Sequence, residues 1–523
     1  MKKLLLAVLA LSLFGLTSAQ TLTYARSGLP VTLDSSDSTD GNSLTVSYQI
    51  VENLVQYELG STELAPGLAT EWSANEDSTQ WTFNLREGVA FHDGTPFNAE
   101  AVKFNLDRWN DPASEYHFAD GGKTYTAWGW VFGGPVGEGV LESVEVVDEY
   151  TVQLNMTGPV GLVPSMVAAS YFGLDSPTAV MEAGAAYGTP GVGAVGTGPF
   201  TFAEWVEGER VTLEANADYW NGAPGIATLI FRGISDPTAR LAELQAGSVD
   251  IAVDLGPDDL SVVEDDPNLV RVPGPSLNIG YLALHQANTP LEDVRVRQAI
   301  AHAIDWEAIV DAFYGELGEV ATQHIPRAFD WARAGDDSVA GYEYDPERAQ
   351  ELLAEAGFAD GFESELWYMP VSRPYFPNPE PIAAAMATYL ADIGINVELA
   401  TEDWGVYLDN YDTGKYPMYM LGWSPDYGDP DNYLYTFFGP SALDSLGWDD
   451  PAVIDLLNQA REVTGQDARG DLYSQVNQAV YDQVAQLPVA HNSVLYAANT
   501  RVQNWTPSPL GSTEQLFLIT VEE

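Results

Sequence analysis

The chain has 523 residues, with 76 Asp and Glu against 21 Lys and Arg, for a formal charge of −55. A polyanion of that size repels phosphate backbones and anionic membrane surfaces, which excludes nucleic acid as a partner. The complete lack of cysteine excludes disulfides, thiolate metal sites, a cysteine nucleophile and the thiol that a bacterial lipid anchor requires.

The first twenty residues read as an export signal. Lys2 and Lys3 precede an apolar run from Leu4 to Leu16, and Thr17-Ser18-Ala19 supplies a small-residue exit. The run is shorter than the roughly 20 residues a bilayer-spanning helix needs, so cleavage after Ala19 is expected. Losing Lys2 and Lys3 takes the formal charge to −57. An exported chain without an anchor fits a periplasm between two membranes. The 46 % hydrophobic content and 14 Trp describe a globular chain, and its length suggests two to four structural units. The acid-rich surface with 5 Lys and 16 Arg reads as a solubility adaptation to salt.

In chain order, Thr21 to Arg26 is strand-like, and a Gly/Pro/Asp/Ser-rich loop follows. Trp81 to Arg86 and Val89 to Phe91 alternate as short strands, His92 to Pro96 forms a turn, and Asn98 caps a helix from Ala99 to Trp109. Trp128 and Trp130 fall in a Gly-rich loop and could line a cleft or pack in a core. Gly191-x-Gly193-x-x-Gly196 matches a dinucleotide fingerprint in spelling only. Thr197-Gly198-Pro199-Phe200 leads into a strand, where the fingerprint requires a helix. Asp236-Pro237 opens a helix that Gly247 stops, and Asp345-Pro346 to Gly357 repeats the design. Val294 to Val310 reads as one long amphipathic helix. Alternating short strands and helices without a repeat period give an α/β class.

Catalytic signatures are missing. His92, His117, His285, His302, His324 and His491 form no HExxH pair, and neither a Gly-x-Ser-x-Gly elbow nor a phosphate-binding loop occurs. The acidic stretch from Asp426 to Asn432 fails the calcium-loop test. Position six would be Asp431 and position twelve Phe437, where glycine and glutamate are needed. No metal and no cofactor is expected.

Several motifs resemble one family. They are Pro66-Gly67-Leu68-Ala69-x-x-Trp72, the run from Trp81 to Phe97, Gly196 to Phe200, Asn216 to Trp220, Leu244 to Asp250, Val294 to Ala299 and Tyr344-Asp345-Pro346. Together they resemble the family 5 extracellular solute-binding proteins of ABC importers, the dipeptide, oligopeptide and nickel group, along nearly the whole mature chain. The resemblance implies a class II periplasmic-binding-protein fold, with two hinged lobes and an inserted extra domain. Lobe I would comprise 20–57, 194–276 and 486–523, the inserted domain 58–193, and lobe II 277–485. The hinge would cross near Ser276 to Ile279 and near Gln486 to Pro488. The stretch Trp367 to Tyr375 is similar to the family's carboxylate-binding segment, and Gly422 to Asn432 to its amine-binding segment. By that match Arg373 would hold a peptide's carboxylate and Asp426 its ammonium, with Tyr375 and Trp423 as walls. A buried zwitterion needs both ends paired. Arg offers a fork to a carboxylate, and Asp offers acceptors to an ammonium.

The implied role is non-enzymatic: a periplasmic monomer would capture dipeptides or short oligopeptides and deliver them to an inner-membrane ABC permease. Tyr427 is similar to the oligopeptide-binding branch, and relatives' cysteine pairs are absent. The same scaffold could instead hold a nickel chelate, glutathione, haem or an oligosaccharide, and an exported hydrolase is a rival from another class.

Overall fold

A computed structural model describes residues 20–274, 277–335 and 338–522. The leader from Met1 to Ala19 and Ser276 lie outside the described residues. The three larger sheets among the described residues carry the apolar cores.

The first sheet has seven strands and draws on three separated stretches. Thr21–Arg26 lies at its centre, parallel to Thr228–Gly233 and Ile251–Leu255. Phe200–Val206 and Arg210–Ala215 extend one side, while Leu495–Asn499 and Leu269–Val272 complete the other. Side chains alternate across a strand, so this sheet is covered on both faces. Tyr24, Val253 and Tyr496 enter one core, whereas Ala25, Ala252 and Ala497 enter the other.

The second sheet has six strands, in the order Gly318–Val320, Gln486–Asn492, Ile279–Leu284, Met418–Trp423, Phe362–Trp367 and Ile395–Ala400. Every residue of Ile279–Leu284 is buried, as a central strand covered on both faces requires.

The sequence reading needs correction at one domain boundary. Gln486–Asn492 pairs with Ile279–Leu284 and Gly318–Val320, and Leu487, Val489 and Ala490 are fully buried in the second core. The chain therefore returns to the first sheet at Ser493 and Val494, not near Gln486 to Pro488. The long helix expected from Val294 to Val310 is also two helices, Val294–Ala303 and Trp306–Phe313. Asp305 leaves the helical conformation and accepts a hydrogen bond from the Ala308 amide, starting the second helix as an N-cap.

The third sheet, ordered Ala69–Ala74, Gln80–Leu85, Thr151–Met156 and Leu141–Asp148, buries alternate residues such as Trp81, Phe83, Val152 and Leu154. Helix Ala99–Asn110 packs on it, and its Asn98 cap binds the Ala101 amide. Fully buried Arg108 from that helix pairs with Asp34 of the first lobe at 3.0 Å and with Asp175 at 2.9 Å. Breaking such a buried network by removing one partner costs about 3–5 kcal/mol, so this sheet is anchored on the first lobe. Asp236 and Asp345 cap their helices as expected. The Gly191 to Gly196 stretch passes into strand Phe200–Val206. Among the described residues no helix is long and apolar enough to cross a membrane.

Candidate functional site

Strands Phe362–Trp367 and Met418–Trp423 run parallel as neighbours, with Leu366 opposite Met418 and Trp367 opposite Tyr419. The chain leaves both at the same sheet edge. Loops at the carboxyl ends of adjacent parallel strands are where α/β sheets hold ligands. The loop after the first strand carries Arg373, and the loop after the second carries Asp426.

The first loop is a tight reversal. The Arg373 and Phe376 backbones exchange hydrogen bonds of 3.1 and 2.9 Å. Its base is tied to the second lobe, because the Pro374 carbonyl accepts from Asn492 Nδ2 at 2.6 Å and the Tyr375 carbonyl accepts from Tyr314 Oη at 2.9 Å. The Tyr375 ring packs against Gly422 of strand Met418–Trp423, where a Cβ would fall 2.1 Å from Tyr375 Cδ2. Glycine is the residue that admits the ring. Burial raises the Tyr375 phenol to about 12, and the adjacent Arg373 guanidinium pulls the other way.

Arg373, Tyr375 and Trp423 line one cavity of about 580 Å³, within the range of small-molecule sites. Its opposite wall comes from the first lobe through Thr39, Asp40 and Gly41. The cavity therefore lies between the lobes. Arg373 is exposed, its guanidinium 5.1 Å from the Trp404 ring centroid, and no carboxylate pairs with it among the described residues. Trp404 was not foreseen from sequence. Its only signal is a tryptophan at the start of helix Trp404–Asn410, capped by Asp403.

Asp426 is not on that wall. It sits beyond Trp423 and Ser424, half-buried, where the second loop meets the inserted part. Its Oδ1 accepts from Tyr171 Oη at 2.8 Å and its Oδ2 from Asn432 Nδ2 at 3.2 Å. Asn432 Oδ1 accepts from the Asp426 amide at 2.8 Å and from Trp423 Nε1 at 2.9 Å. One carboxamide thus orients both expected site residues of this loop.

The three acids of the loop fare differently. Asp429 binds Arg469 through two nitrogens, one at 2.8 Å, and Asp431 lies 3.4 Å from Arg461 Nε. Asp426 has no cation beside it among the described residues. Desolvation therefore raises its pKa, and the Tyr171 and Asn432 hydrogen bonds only partly oppose this. The loop also reaches the first lobe and the inserted part: the Gly428 amide donates to Tyr57 Oη at 2.9 Å, and Ser165 Oγ donates to Asp429 Oδ2 at 3.3 Å. Tyr427 is buried in the core of the inserted part. Sequence reasoning missed Tyr171 because it lies 255 positions from Asp426.

The remaining tryptophans are structural or superficial. Trp128 is buried and stacked 4.0 Å from Phe132, while Trp130 is exposed, and neither lines the cavity. No group of three or more His, Asp or Glu among the described residues is arranged to hold a metal.

The comparisons with known proteins agree with this architecture. Residues 63–445 match the bacterial extracellular solute-binding proteins, family 5 Middle. A dipeptide-binding protein of Escherichia coli K12 is 33 % identical, across 98 % of this chain and 96 % of its own. Heme-binding protein A of Haemophilus influenzae is also 33 % identical, across 95 % and 91 %. Among solved structures, the ABC transporter-associated periplasmic binding protein DppA from Helicobacter pylori, in complex with the peptide STSA, superposes with a TM-score of 0.79 at 27 % identity. That match covers 96 % of this chain and 98 % of that one. The chain belongs to the bacterial extracellular solute-binding proteins of family 5.

Proposed function

We propose that this protein is the periplasmic binding component of an ABC importer, capturing a dipeptide or short oligopeptide between its lobes without catalysing a reaction. The observation that carries the reading is a pair of charges without an opposite charge beside them: Arg373 on the wall of the interlobe cavity, and Asp426 off that wall, on the same loop as the lining residues Trp423 and Ser424. Among the described residues no carboxylate pairs with Arg373 and no cation with Asp426. A zwitterion satisfies both at once, its carboxylate on the guanidinium and its ammonium on Asp426. Tyr375 and Trp423 wall the space between. Closure of the lobes on the ligand is what the permease would read. The leader is removed after Ala19, and the mature chain acts as a monomer.

The relative named for haem supports a second reading. Against it, the described cavity lining holds a single base, Arg373, for two propionates. Mass spectrometry of the small molecule released on denaturing freshly purified protein tests the choice. Peptides of two to five residues are expected, and haem or a sugar would overturn the proposal.

A further inference from the structure

The peptide reading assigns the two charged ends of a ligand and leaves its side chains without a place. Strands Ile279–Leu284 and Met418–Trp423 pair so that Tyr281 lies opposite Leu421, Ala283 opposite Tyr419 and Ile279 opposite Trp423. Directly opposite residues share a face of the sheet. Tyr281, Tyr419, Leu421 and Trp423 therefore stand on one face, and all four line the interlobe cavity. Phe437 completes this wall, its ring 5.2 Å from that of Tyr281 and 6.3 Å from that of Trp423. Tyr281, Tyr419, Leu421 and Phe437 are all buried, whereas Asp412 and Asp444, on the same cavity, are exposed and solvated. The wall is an aromatic surface, which a large ring fills with favourable edge and face contacts and a methyl group does not.

One polar atom of this wall is unused. Tyr419 Oη donates to the Ser445 carbonyl at 3.0 Å, and Trp423 Nε1 donates to Asn432 Oδ1 at 2.9 Å. Tyr281 is 4 % exposed and lines the cavity, and its Oη has no hydrogen-bond partner among the described residues. Burial, reinforced by the phenol of Tyr419, raises its pKa well above the usual phenol value. The hydroxyl thus keeps its proton and can both donate and accept. A ligand that covers it with hydrocarbon leaves it unpaired at a cost in affinity, and a ligand hydroxyl that meets it removes that cost.

The two observations select the same side chain. The aromatic wall favours a ring, and the free hydroxyl within it favours a ring with a polar tip. We propose that Tyr281, Tyr419, Leu421 and Phe437 form a subsite for an aromatic side chain bearing a hydroxyl, with Tyr281 Oη pairing with that hydroxyl, so that the preferred ligands are peptides carrying tyrosine. This deepens the peptide reading and rests on it.

Calorimetry on ligand-free protein with Ala-Ala, Ala-Phe, Phe-Ala, Ala-Tyr and Tyr-Ala tests the subsite. In at least one order the tyrosine peptide is expected to bind about tenfold or more tighter than Ala-Ala, and about tenfold tighter than its phenylalanine counterpart, the factor of one hydrogen bond. In the variant Tyr281→Phe the tyrosine-to-phenylalanine ratio should fall toward one. The ratio is read within one preparation, so partial misfolding cancels. Tyrosine peptides that bind no tighter than Ala-Ala or than their phenylalanine counterparts, or a ratio that survives in the variant, would overturn the subsite and leave the peptide reading standing. If none of the five peptides binds, both fall.

Discussion

At the scale of single residues, the account turns on Asp426 being charged with no cation beside it among the described residues. Desolvation raises its pKa in the ligand-free protein, whereas an ammonium against it would favour the ionised form and lower the pKa in the complex. The complex therefore binds fewer protons than the free protein. Affinity should be complete above the free-state pKa and fall as pH drops through it. That decline should begin above pH 3.3–3.7, roughly where the peptide's own carboxylate titrates. Asp426→Asn should lose on the order of 3–5 kcal/mol of affinity and abolish the pH slope. Titrations from pH 4 to 8 check both, and a variant that keeps either the affinity or the slope would remove Asp426 from the site.

The roles of Arg373 and Asp426 were legible only through motif resemblance, because an Arg before Pro and an Asp in a Gly/Pro loop are ordinary surface features. Their neighbours were not legible at all. Tyr171 reaches Asp426 from 255 positions away, and no local pattern marks such a contact.

At the scale of elements, the site depends on two loops at one sheet edge and on the glycine that lets them meet. Gly422→Ala would place a methyl group 2.1 Å from Tyr375 Cδ2 and 2.5 Å from the Ile279 carbonyl. The Tyr375 ring must move, carrying the short reversal that presents Arg373. Peptide affinity should fall about tenfold or more, because site geometry tolerates only about 0.5 Å, and fold stability should fall as well, since the Ile279 carbonyl is backbone of a buried central strand. Paired calorimetry and urea unfolding separate the two, and unchanged affinity would show that the ring does not position the loop. Element reading from sequence succeeded where capping was local, as at Asn98, Asp236 and Asp345. It failed at Asp305, where an acid inside a continuous apolar pattern starts a new helix. It failed again at Gln486–Asn492, since only strand pairing shows which sheet that segment joins.

At the scale of the whole molecule, two sheets with separate cores face each other across the cavity, joined by crossings near residue 277 and at Ser493–Val494. The loop around Asp426 already touches Tyr57 of the first lobe and Tyr171 and Ser165 of the inserted part. Ligand charge is thus set where the lobes meet, and a bound zwitterion would bridge them. The α/β class and family were readable from motif order, because those motifs span the chain. The placement of the return crossing required the strand register.

The most direct test of the central claim is calorimetric titration with one dipeptide in three forms: free, N-acetylated and C-amidated. The account predicts that capping either end leaves one buried charge unpaired and weakens binding by at least about 3 kcal/mol, more than a hundredfold. Capped peptides that bind as tightly as the free zwitterion would contradict it.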